Sequence, residues 1–373
     1  MPSRTRRGCI LGRLIMKKLL ILGLTLLVIS SALFADDAKV MPTRVGRIYL
    51  APSFVYGTQY FDDEGSREDS GQTLKVFNLG AALEYGVINW ITAALQWTPG
   101  INLWSDIDKE GSDDTINAFG VGDLFVGAKM QILGSAGLMK NDNLRLAFAL
   151  GVKVPLPGPD YEDQFKNMMA GDAYTGGNVD RHVLGLGLRT YFDYIINDNF
   201  FINFYNQFIY FPMKGDLEKA GLAEYATLYM TNANLAATSA ALGIPNHSID
   251  GEVSYGYDLT FELEPVFSIP VAPGTIFSAG LPINYQTFPG KKYDFSASGP
   301  SEEIKQAGLT GIKNALPDGE QSHLLTVKPN VGIFFMGWAM PVEFKLNYFA
   351  PVWGKNSSAN HTFNFQARLY FRI

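Results

Sequence analysis

Cysteine is almost absent from this chain: 373 residues hold one, Cys9. Without a second thiol, small disulfide-stapled secreted folds are excluded. No apolar stretch precedes Cys9, so it is no lipid-acylation site either. Charge is also scarce, at 18% of residues against roughly a quarter in soluble domains. Past residue 35 no apolar run approaches the roughly 18 residues of a spanning helix, which excludes a helical membrane protein. No HExxH, paired-cysteine or P-loop spacing occurs, so neither metal nor cofactor is expected. What is present is apolar and aromatic: 47% hydrophobic residues, 26 Phe, 18 Tyr, 5 Trp and 38 Gly. That content excludes disorder. Apolar, glycine-rich and lacking spanning helices is the profile of a β-barrel.

Residues 16–35, MKKLLILGLTLLVISSALFA, have the layout of a secretory signal: Lys17 and Lys18, an apolar core over 19–29, then small residues. Cleavage falls after Ala35 or after Ala32. Residues 1–15 read as an over-long start, with Met16 as the true initiator, so 1–35 leave the fold and 36–373 form one domain without linker or composition break. Removing 1–35 takes six basic residues and no acidic one, leaving 24 against 36, a net of −12. An acidic exported chain argues against nucleic-acid binding, which needs basic surface. The expected destination is the bacterial outer membrane, with its lipid and the barrel assembly machinery as partners.

The dominant signal is strict alternation, the period-2 pattern of strands with two unlike faces. In TFNFQARLYFRI, Phe363, Phe365, Leu369, Phe371 and Ile373 point one way, Arg368 and Arg372 the other. A soluble sandwich would turn the polar face outward. A barrel in lipid turns aromatics outward and polar residues to the lumen, so these five apolar residues are assigned to lipid and the two arginines to the lumen. The same logic sends Glu84 inward from 75–87, Asp123 and Lys129 from 123–133, Arg145 and Lys153 from 144–154, and Arg189 from 182–196. It also sends inward Glu252, Asp258, Glu262 and Glu264 from 252–265, and Glu343 and Lys345 from 341–350. Small residues in that register (Gly80, Ala82, Ala94, Gly127, Ala147, Ala149, Gly151, Gly185, Gly187, Gly256) would leave room for a passage. The ionisable groups either pair with one another or form an acidic wall facing a basic one, whose field would orient passing solutes.

Twelve such runs occur, at 44–61, 73–87, 88–98, 118–133, 143–155, 182–196, 199–212, 251–267, 275–288, 323–336, 341–350 and 361–373. Ten or fourteen strands remain compatible. Short turns near 86–89, 134–142, 197–199, 269–274 and 337–341 alternate with long polar loops near 62–72, 99–117, 156–181, 213–250, 289–322 and 351–360. That asymmetry of periplasmic turns and extracellular loops predicts an all-β transmembrane antiparallel up-and-down barrel. Residues 216–243 and 301–316 carry helix-like text, read as a helix on the rim or as a lid or plug over the lumen.

Three pieces carry a family resemblance. FNLGAALEYGVINWITAALQW (77–97), GVGDLFVGAKMQIL (120–133) with Gly122-Asp123, and ALGVKVPLPGPD (149–160) resemble the outer-membrane family named for the meta-pathway of phenol degradation, relatives of the long-chain fatty-acid transporters. The likeness spans about a third of the chain. It implies a passive channel for small hydrophobic or amphipathic solutes. The fatty-acid transporters carry an N-terminal hatch of some forty residues. Here only 36–43 precede the first strand, so no such hatch is expected, and any occlusion of the lumen is assigned to the extracellular loops.

Some barrels are rim hydrolases, and His182, His247, His323 and His361 all fall at the loop side. A catalytic set needs a base within reach of its nucleophile and an orienting partner, and no such signature is visible, so no enzyme is expected. Asp62-Asp63-Glu64 and Asp113-Asp114 read as solvated loop charge rather than a Ca²⁺ site. Beside the channel stands one alternative, a surface adhesin or structural barrel acting through its long loops.

Overall fold

A computed structural model describes residues 37–109, 115–116, 120–156, 181, 183–221, 248–298, 302, 305–306, 309–310, 313 and 317–373. The leader with Met16, Ala32 and Ala35, the histidines at 182 and 247, Asp113-Asp114, and most of 216–243 lie outside these residues. The alternating runs fold as strands because each has one apolar and one polar face, which a pleated chain presents to opposite sides. In chain order they are β1 (Val45–Phe61), β2 (Arg67–Ile88), β3 (Ile91–Lys109), β4 (Thr115–Ile116), β5 (Leu124–Leu133) and β6 (Leu144–Val154). There follow β7 (Gly185–Asn197), β8 (Phe200–Tyr210), β9 (Gly215–Gly221), β10 (Ser248–Ser254), β11 (Tyr257–Ala272), β12 (Thr275–Gly280) and β13 (Ile283–Phe288). The last are β14 (Lys292–Ala297), β15 (Ser322–Val327), β16 (Asn330–Phe335), β17 (Val342–Lys355), β18 (Ser357–Ser358) and β19 (His361–Arg372).

All but β9, β10 and β14 join one antiparallel sheet, and it closes on itself because β19 pairs with both β17 and β1. The closing register sets Gly46 opposite Phe371 and Ser53 opposite Asn364. β12 runs on into β13, β15 into β16 and β18 into β19, while β4 is a stub above β5, so the wall has twelve staves. Two of those continuations are broken at Pro282 and Pro329, which have no N–H to give the ladder. Their carbonyls still accept, Pro282 from the Lys328 N–H at 2.8 Å and Pro329 from the Tyr348 N–H at 3.0 Å, and the wall stays continuous.

Several expected features differ. The loops near 62–72, 99–117 and 351–360 are largely strand in their described residues: β2 already begins at Arg67, β3 runs to Lys109 and β17 runs to Lys355. Tight reversals remain, with Gly65 at φ 87° and Asn356 at φ 48°. The Asp62 carboxylate closes the first of them, accepting the N–H groups of Glu64 and Ser66. The run 251–267 is not one strand. Gly256, at φ 69°, bends the chain, and β10 leaves the wall to pair with β9 and β14 in a three-stranded sheet. Glu252 is therefore not a lumen residue; it is exposed on that small sheet, holding Lys214 at 2.5 Å.

Burial is the reverse of a water-soluble protein's. Outside, Ile48, Leu83, Val126, Phe148, Leu188, Phe204, Leu263 and Leu346 are exposed, Leu150 at 68%. Inside, Asn78, Gln96, Asp193, Asn203, Glu262 and Asn364 are buried. Only a closed barrel with lipid outside satisfies both faces. Of the five residues assigned to lipid, Phe363, Phe365 and Ile373 are exposed, while Leu369 and Phe371 are partly covered. A Cβ at Gly46 would fall inside the Phe371 ring, so the aromatic covers the glycine across the closing seam.

Candidate functional site: the lumen

The inner face is a lattice of ion pairs, most of them between nearby staves. Arg47 holds Glu84 at 2.5 Å, Arg145 holds Asp193 at 3.1 Å, and Arg181 holds Asp258 at 2.5 Å. Lys328 holds Glu262 at 3.0 Å, Lys345 lies 3.8 Å from Glu264, and Arg368 holds Glu343 at 3.3 Å. Asn284 and Asn330 donate to Glu262 and Glu264. Each of these six carboxylates thus has a cation beside it, so among the described residues acid and base are interleaved on the wall. Asp123, Lys129 and Lys153 are buried on the same inner face, and Arg189 is partly covered. Arg372 is different: it is exposed, at the last paired position of β19 opposite Val45.

The lumen is not empty at its turn end. Residues 37–43 pass into the barrel instead of leaving it. Ala38 is fully buried against Ala147, Ala149, Tyr191 and Tyr205. Its N–H reaches both oxygens of the Asp193 carboxylate at 3.2 Å. Lys129 Nζ donates to the Asp37 carbonyl at 2.8 Å, and the Met41 N–H donates to Thr92 Oγ1 at 2.8 Å. The Pro42 carbonyl packs against Gly86, where any side chain would collide with it. The expectation that nothing N-terminal could occlude the barrel is therefore corrected. A forty-residue hatch is not needed, because seven residues cross the space between Thr92 and Asp193 and supply N–H donors and a carbonyl acceptor to buried wall groups. Asp193 was missed in the sequence, although it continues the inward register of Arg189 and Tyr191. Residues 37–43 carry no periodicity that could have marked them.

Several of the small inward residues are also occupied. Ala147 and Ala149 seat Ala38. Gly127, Gly151 and Gly187 stand side by side on β5, β6 and β7, and the Phe125 ring lies across all three. The Arg189 guanidinium covers that ring at 3.9 Å from its centroid. Arg189 is itself held by Gln96 and by Gln207, the latter at 2.8 Å.

At the loop end, cations meet aromatic faces. Arg181 lies 4.3 Å from the Phe211 ring centre and 5.3 Å from that of Tyr255, Lys153 is 5.9 Å from Phe211, and Lys291 is 5.9 Å from Tyr255. Lys291 follows β13 outside the spanning staves. Burial, with the charge of Arg181 beside it, pushes its ammonium down to about 7. Tyr255 is brought here by the bend at Gly256 and the small β9–β10–β14 sheet. Neither described histidine has a nucleophile arranged on it: His323 and His361 each stack on a tyrosine, Tyr285 and Tyr348, with a 2.7 Å bond between Nδ1 and the phenol. Among the described residues no cluster of metal-ligating side chains occurs.

No known family profile and no curated protein matches the chain. Among solved structures, an outer membrane channel from Pseudomonas putida F1 is similar at a TM-score of 0.55 with 11% identity, covering 91% of this chain and 100% of that one. The β domain of the Bordetella autotransporter BrkA aligns at 0.40 with 11% identity over 88% of this chain and 100% of that one. A Pseudomonas aeruginosa FadL homologue aligns at 0.32 with 8% identity over 88% and 90%. The likeness to the first is one of fold, that of an outer-membrane β-barrel.

Proposed function

We propose that this barrel is an outer-membrane channel for passive uptake of small hydrophobic or amphipathic solutes, shut in the present conformation by residues 37–43. The observation that carries the reading is the way this segment is held. It joins no strand; its hydrogen bonds include those to the side chains of Asp193, Lys129, Thr92 and Asn89, groups that water or a solute can satisfy in its place. A segment held by side chains rather than by a strand ladder opens at lower cost than the wall. The lumen that would open is mixed in character, hydrogen-bonding side chains interleaved with Tyr191, Tyr205, Phe211 and Tyr255, which suits solutes having one polar and one apolar side. The fold shared with an outer membrane channel supports the same reading.

Reconstitution tests it. Asp193→Ala removes the anchor of the Ala38 N–H, an interaction on the order of 1–3 kcal/mol for a buried charged acceptor. In liposomes and planar bilayers this variant should pass more ions and more aromatic solute than the wild type. A barrel shown to be folded by heat-modifiable gel mobility, yet tight to every solute in both forms, would overturn the channel. The adhesin or structural alternative is favoured by one observation, the β9–β10–β14 sheet with Lys214, Glu252 and Asp294 exposed.

A further inference from the structure

We infer that Phe125 is a second gate, separate from residues 37–43, and the residue that decides which solutes pass; this rests on the channel reading above. The argument begins with the glycines. Three in one cross-strand row, Gly127, Gly151 and Gly187, weaken three adjoining staves, since glycine has no side chain to pack and loses most freedom on ordering. A barrel that needed only a filled interior would carry alanine or valine there. What the glycines supply is a flat backbone wall, and the Phe125 ring lies on it. A Cβ at Gly127 would come within 3.0 Å of Phe125 Cε1, one at Gly187 within 2.5 Å of Cε2, and one at Gly151 would overlap Cζ. The opposite face of the ring is covered by Arg189, fixed by its two glutamines. The seat is therefore a slot for one planar ring, backbone below and guanidinium above, and Phe125 fills it from the chain itself.

Position makes this slot a gate. β5 runs from the loop end to the turn end, so the inner face presents Phe125 first, then the glycine row, then Lys129 and Arg189, then Tyr191, where Ala38 packs. A solute from the loop end meets Phe125 before it meets residues 37–43. The ring is held by stacking and packing, with no backbone hydrogen bond at stake, so it can rotate out while β5 stays paired. A planar apolar solute can take its place beneath Arg189; a bulky branched one cannot fit between guanidinium and wall. Transit becomes an exchange of one ring for another, selective for flatness.

The test uses the full chain in the Asp193→Ala background, where the N-terminal segment is loosened. Phe125→Ala should raise single-channel conductance several-fold and abolish discrimination between benzyl alcohol and a branched alcohol of similar hydrophobicity in liposome uptake. Gly151→Val, which drives the ring off the wall into the lumen, should lower conductance. Phe125→Leu keeps bulk without a planar ring, guards against misfolding of the alanine variant, and should conduct while losing the preference for flat solutes. If the parent conducts and folded Phe125 variants match it in conductance and discrimination, the gate is wrong and the channel stands. If no folded variant passes any solute, the channel reading falls and the gate falls with it.

Discussion

Single residues show how a polar interior can be stable. Glu262 is 2% exposed yet accepts from Lys328 and Asn284, and a buried charge persists only when paired and hydrogen-bonded. Lys291 shows another side of burial, because desolvation and the charge of Arg181 act on it together. Among the groups near it are Arg181 with its partner Asp258 and the Tyr255 ring, and Lys153 lies near Phe211, which Arg181 also covers. Its folded value of about 7 lies below the ordinary lysine value of 10.5. The folded barrel therefore binds fewer protons than the unfolded chain between those values, and the cost of burying this lysine fades as pH rises through that window. Function runs the other way: below about 7 the loop-end chamber gains a positive charge. Conductance ratios for chloride over potassium should rise as pH falls through 7, and Lys291→Met should flatten that profile. A wild-type ratio independent of pH would show that this lysine does not face the permeation path.

At the scale of elements, alternation placed the staves and prolines interrupted them. The runs 275–288 and 323–336 each read as one strand; each is one stave in two pieces, because Pro282 and Pro329 cannot donate. The prolines were plain in the sequence, but whether a proline ends a strand or only notches it depends on a neighbour offering a donor, as Lys328 and Tyr348 do here. The closing seam depends on Phe371 lying over Gly46, an aromatic rescue of a strand glycine. Phe371→Ala should cost about 1–2 kcal/mol of apolar burial and lower the midpoint of urea unfolding in detergent or liposomes. An unchanged midpoint would mean the ring contributes nothing to closure.

For the whole molecule, the twelve staves fix which connections share an end. The turns at 89–90, 198–199 and 273–274 lie at one end, and the connections 211–256 and 289–321 at the other. Long connections in outer-membrane barrels are extracellular. Epitope tags inserted near Ala237 or Gly308 should then bind antibody on intact cells, and a tag within 272–275 should bind only after permeabilisation. The opposite result would invert the barrel in the membrane, and with it the order in which a solute meets Phe125 and residues 37–43.

The sequence by itself carried the all-β antiparallel barrel, with a count of twelve staves read beside ten or fourteen. Alternation with period 2 is a local property, and each strand records it without reference to any other. Tertiary structure decided what fills the space those walls enclose. Residues 37–43 have no pattern to announce them, and their place in the lumen exists only because Asp193, Lys129 and Thr92 converge there from three staves. Gly127, Gly151 and Gly187 look like room when each is read along its own strand. They become a seat for Phe125 only when β5, β6 and β7 stand side by side. Glu252 likewise reads as a lumen acid until Gly256 bends its strand away. A lumen is made between strands, so its contents follow from register and closure, which no single run of residues encodes.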